Sequence, residues 1–126
     1  MATIKKIEVF TIEMRDDGIV HMHAEGDKLI DMRLYKLLIE GIGEVSGGKK
    51  VPILSTADEE VLPDDDVKEY FMRPDSNPYS LANAVIAPSL PQKLIGNLFL
   101  RMNKRGSPIK LFRNKDEAIA WLKTFL

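Results

Sequence analysis

Cysteine is absent from this 126-residue sequence, which excludes disulfides, thiolate nucleophiles and cysteine-ligated zinc. The absence fits a reducing compartment. Histidine is nearly as scarce. His21 and His23 are the only two, too few for a histidine-rich metal site. Long apolar runs are also missing. The longest, Leu94 to Leu100, falls well short of the roughly 20 residues that span a bilayer. No apolar core follows Lys5 and Lys6 as a secretory signal requires. A soluble cytoplasmic protein without a transmembrane segment is the expectation. The net charge of −1 argues against nucleic acid as a partner.

Catalytic signatures are missing as well. No glycine-rich phosphate cradle sits between a strand and a helix start, because Gly41-Ile42-Gly43 falls at a helix end. None of the serines lies in a Gly-x-Ser-x-Gly elbow. A non-enzymatic protein with no cofactor is therefore expected.

What is present is enough for one domain spanning residues 1–126, with 44% hydrophobic and 29% charged residues. Charge is unevenly placed. Ala57 to Asp75 holds eight acidic residues and two basic ones, whereas Ser76 to Lys115 holds seven basic residues and no acid. Such a distribution either forms two opposed faces that steer a partner or cancels locally.

Periodicity then orders the chain. Ile4 to Met14 alternates, with Phe10 out of phase, and Asp16-Asp17-Gly18 is a hairpin turn into Ile19–Ala24. Asp31 caps a helix reaching about Gly41 to Gly43, where the glycines weaken its last turns. Val51–Leu54 is a short buried strand. Pro63 suits the first turn of a second helix, with Asp64, Asp65 and Asp66 favourably placed at its positive end. Ala82–Ala87 is a small, apolar strand. Ser89 caps a third helix with the stripe Leu94, Ile95, Leu98, Phe99 and Met102. Ile109–Phe112 is the last strand, and Asn114 to Glu117 opens the last helix in the manner of a capping box. The fold class is α/β: a mixed five-stranded sheet, formed by an N-terminal antiparallel hairpin and then parallel β-α units, with four helices.

That order, with DDGIVHMH at Asp16–His23, GGKKVPILS at Gly47–Ser55, IGNLFLRMNK at Ile95–Lys104 and PIKLFRNKDEAIAWLKTFL at Pro108–Leu126, resembles the STAS superfamily. It looks closer still to the stand-alone SpoIIAA-like branch of that superfamily. The resemblance implies a protein-interaction module bound to a regulatory protein or to itself as a homodimer. In phosphorylation-switched members a Ser or Thr opens the helix after the third strand. Here that helix opens with Pro63-Asp64-Asp65-Asp66, so the acceptor hydroxyl is missing.

The resulting partner-binding candidates are Asp64, Asp65 and Asp66, with Ser55 and Thr56 one loop earlier. Leu94, Leu98 and Phe99 form a candidate apolar surface for a small molecule, a lipid or a second protomer. Arg101, Lys104 and Arg105 form a candidate basic face. Peripheral lipid contact is the less favoured reading of that helix. His21 and His23 share one strand face with Glu25, but nothing completes a metal set, and they read as solvent-facing residues of an edge hairpin.

Overall fold

The computed structural model describes residues 3–71, 73, 75–102 and 107–126, and of residues 98–102 the backbone alone. The chain begins with two reversals. Strand β1 (Thr3–Ile7) pairs antiparallel with β2 (Phe10–Met14), and β2 pairs antiparallel with β3 (Val20–Ala24). The single strand expected over Ile4–Met14 is therefore two. The chain turns at Glu8 and Val9, where Glu8 adopts a φ of 54°. This reversal explains why Phe10 is out of phase: it opens a new strand and is buried.

The order continues with β4 (Leu29–Ile30), α1 (Met32–Ser46), β5 (Val51–Ala57), β6 (Leu62–Pro63), α2 (Asp65–Phe71), β7 (Ser80–Ile86), α3 (Leu90–Met102), β8 (Ile109–Phe112) and α4 (Lys115–Lys123). Among the described residues the main sheet has six strands, not five, in the order β1-β2-β3-β5-β7-β8, while β4 and β6 form a separate parallel pair. From β3 onward the neighbours are parallel. Right-handed crossovers between strands laid down in sequence put α1, α2 and α3 on one face. Helix α4 packs on the opposite face, against β5, β7 and β8.

Each face has its own core. Phe10, Ile12, Val20 and Ile53 meet Leu34, Tyr35, Leu38 and Ile42 of α1 and Val67 of α2. On the other face, Ile19, Leu54, Ala82 and Ala84 meet Ala118 and Leu122 of α4. The small Ala82 and Ala84, fully buried, let α4 lie close to the sheet.

Helix ends follow local chemistry. Asp31 accepts the Leu34 N–H at 2.8 Å, and Asn114 accepts the Glu117 N–H at 2.9 Å. Ser89 accepts the Gln92 N–H at 3.3 Å. Helix α1 runs on to Ser46 and ends at Gly47, whose φ of 68° suits a glycine. It passes through Gly43 because that glycine serves packing. A Cβ there would stand 2.6 Å from the Tyr79 ring. Pro63 is not in the first turn of α2. It belongs to β6, opposite Ile30, and Asp64 caps the helix by accepting the Val67 N–H at 2.9 Å.

Candidate functional site

A cavity of about 200 Å³ lies between the sheet and the helices α1, α2 and α3. Sheet residues Ile53, Ala57 and Val85, helix residues Leu38, Val67, Phe71 and Ile95, and Leu111 of β8 contribute to an apolar wall. Polar residues interrupt it, among them Ser55, Asn83, Gln92 and Asn77. Strand alternation brings the first two together, since Ser55 shares its face with Ile53 and Ala57, and Asn83 shares its face with Val85. Ser55 Oγ donates to Asn83 Oδ1 at 2.8 Å. Both residues are buried, and buried polar groups need such partners.

Gln92 comes from the first turn of α3. Its Nε2 donates to the carbonyls of Asp58 at 2.8 Å and Val61 at 2.6 Å, tying the helix to the loop after β5. Its Oε1 is buried without a partner. Tyr35 also borders the cavity, and burial pushes its phenol up to about 12, so it stays protonated.

The opposite face of the sheet carries a second constellation. Thr56 Oγ1 lies 2.8 Å from His21 Nε2 and 2.7 Å from His23 Nδ1. His23 Nε2 is 3.1 Å from Asp58 Oδ1. With both imidazoles neutral, one proton arrangement satisfies all three contacts. The Asp58 carboxylate only accepts, so His23 donates from Nε2 and accepts at Nδ1. Thr56 then donates to His23 and accepts from His21 Nε2. Burial, followed by the nearby Lys115, His23 and Arg15, lowers the His21 pKa to about 4. The Gly26 N–H, 2.8 Å away, and the neighbouring His23 hold Asp58 below the usual carboxylate range.

A family model described as a domain of unknown function, DUF7793, matches residues 12–126. The chain belongs to that family. The DUF7793 fold is similar to a crystal structure described as an uncharacterized protein from the DUF3478 family with a SpoIIAA-like fold, from Shewanella loihica PV-4. The TM-score is 0.52 at 16% identity, over 97% of this chain and 92% of that one. At such identity the likeness speaks for the fold alone, and it bears out the expected SpoIIAA-like fold. No curated protein matches the chain.

The residues singled out in this DUF7793 sequence do not gather at one surface. Ser55 and Thr56 are both buried, and they point to opposite faces of the sheet. Asp64 is occupied by its cap, and Asp65 lies 3.3 Å from Lys68. Asp65 and Asp66 alone of the three are fully exposed. Leu94 is 61% exposed, directed away from the cavity that its neighbour Ile95 lines. The side chains of Leu98, Phe99 and Arg101, and the whole of Lys104 and Arg105, lie outside the described residues.

The histidines are not on an edge hairpin, because β1 takes the edge and β3 pairs on both sides. Glu25 pairs with Lys6 at 2.9 Å instead of joining them. Among the described residues no group of three or more histidines and carboxylates could hold a metal ion. No helix among them is long and apolar enough to cross a membrane.

Asn83 and Gln92 were not anticipated. The signal for Asn83 was a lone carboxamide in the small apolar run SLANAVI, since a polar group in a buried strand needs a partner. Nothing in the sequence marks Gln92.

Proposed function

We propose that this chain is a non-enzymatic binding module that takes an apolar small molecule beneath its crossover helices. The observation that carries this reading is the cavity between the sheet and α1, α2 and α3. Native cores are packed to crystal density with few voids larger than a water molecule. An apolar cavity of 150 Å³ already accommodates benzene, so about 200 Å³ suits a ligand of roughly ten non-hydrogen atoms.

Helix α2 links such a ligand to the surface. Val67 and Phe71 line the cavity, while Asp65 and Asp66 of the same helix face solvent. Occupancy biases the seating of α2, and a regulatory protein that contacts the two carboxylates reads the result. This keeps a protein partner in the account but makes its binding conditional on the ligand.

Native mass spectrometry of freshly purified wild-type protein and Ala57→Leu tests the reading. Leucine at position 57 adds volume on the cavity side of β5. A small adduct, co-purified or added as propylbenzene, is expected on wild type and absent from the variant. A ligand-free mass for both proteins in the presence of propylbenzene contradicts the proposal.

A further inference from the structure

We infer that the cavity selects a neutral ligand bearing a hydrogen-bond acceptor, such as an amide or an alcohol on a small aromatic or branched body. The inference rests on the ligand-binding reading above and adds the chemical class. It comes from the hydrogen-bonding capacity of Ser55, Asn83 and Gln92.

Asn83 uses its carbonyl oxygen on Ser55. Its amide nitrogen has two protons and no partner among the described residues, so it offers donors to whatever fills the cavity. Gln92 adds no donor to the cavity. Both of its amide protons are spent on the carbonyls of Asp58 and Val61, and its Oε1 remains a buried acceptor without a partner. The two carbonyls fix the orientation of Gln92. Reversing the Gln92 amide would set its oxygen against two carbonyl oxygens.

Charge sets the other limit. None of the described residues lining the cavity is acidic, basic or a histidine. An ionised ligand would lose its hydration with no counter-ion to replace it, which is far more costly than burying a paired neutral group. A free carboxylate or an amine cation is therefore excluded in favour of a neutral headgroup. A hydrocarbon fits the walls but leaves the Asn83 amide unpaired, so it binds more weakly than a ligand that supplies an acceptor.

Three probes of similar size separate these classes: 2-phenylacetamide, phenylacetate and propylbenzene, each titrated into the full chain at pH 7. The amide is expected to bind at least about tenfold more tightly than the carboxylate. In Ser55→Ala/Asn83→Leu, which removes both partners of a buried bond together, the amide-to-propylbenzene affinity ratio is expected to fall about tenfold. The wild-type side-chain amide resonances of Asn83 give a readout that does not depend on the variant folding. They should shift with 2-phenylacetamide in a manner that propylbenzene does not reproduce.

Phenylacetate binding as tightly as the amide overturns the inference, as does an unchanged ratio in a folded variant or identical Asn83 shifts with both neutral probes. In each of those cases propylbenzene binding leaves the broader ligand-binding reading standing. If none of the three probes binds, both fall.

Discussion

His21 Nε2 and Thr56 Oγ1 stand 2.8 Å apart across the junction of β3 and β5, and the same hydroxyl lies 2.7 Å from His23 Nδ1. One hydroxyl has a single proton, so the three groups are ordered: His21 donates to Thr56, Thr56 donates to His23, and His23 donates to Asp58. This order predicts that both imidazoles carry their proton on Nε2 at neutral pH. Long-range nitrogen–proton NMR correlations report the tautomer directly. Thr56→Val, which keeps the shape and removes the hydroxyl, should cost about 1–3 kcal/mol in denaturant unfolding. Thr56→Ser should recover most of it.

The pH dependence follows from His21. Unfolded, its imidazole takes a proton near the ordinary 6.5, whereas in the fold burial and the cations Lys115 and Arg15 delay protonation to about 4. Between those values the unfolded chain binds more protons than the native one, so stability is lost as pH falls from 6.5 towards 4. Below that range this residue adds no further slope. Because the ring is only half buried, we expect about 1–2 kcal/mol after solvent screening. Urea unfolding of wild type and His21→Gln at pH 7 and pH 4.5 isolates the effect, with the smaller pH-dependent loss in the variant.

The acidic start of α2 should divide into unequal parts. Asp64→Ala removes the acceptor for the Val67 N–H and should lower stability by about 0.5–2 kcal/mol. Asp65→Ala and Asp66→Ala should leave the melting temperature nearly unchanged, because both side chains face solvent. Thermal unfolding of the three single variants decides this. Equal effects would contradict the assignment of the cap to Asp64.

Gly43→Ala tests the close approach of α1 to Tyr79. Alanine favours the helix by about 1 kcal/mol, but its Cβ would stand 2.6 Å from the ring, and overpacking of this kind costs about 1–3 kcal/mol. Net destabilisation is expected on the wild-type background, turning to stabilisation when Tyr79→Ala is already present.

These particulars show what the sequence made legible. Asp31, Ser89 and Asn114 each cap the helix expected of them, because a capping side chain bonds within three residues and needs no tertiary information. The parallel β-α order was legible for a similar reason, since apolar periodicity reports which face of an element is buried. Pro63 was misplaced because Pro at a helix start and Pro in a two-residue strand share the same fixed φ. Only the pairing with Ile30 distinguishes them. Phe10 did carry the missing strand boundary, as an apolar residue on the wrong parity.

The candidate site was harder to read because it depends on contacts between residues far apart in the chain. Ser55 and Asn83 are 28 residues apart and His21 and Thr56 are 35 apart. Neither pair leaves a local spacing signature. The acidic run drew notice because charge is visible in a sequence. The cavity is made of side chains that look like ordinary core until the crossover helices are laid over the sheet.

The central claim is that an apolar small molecule occupies the space under α1, α2 and α3. Methyl-labelled NMR during titration with propylbenzene tests it most directly. The account predicts saturable shifts at the methyl groups of Ile53, Val85 and Leu111, all of them lost in Ala57→Leu. Shifts confined to the exposed Leu90 and Leu94, or none at all, would contradict it.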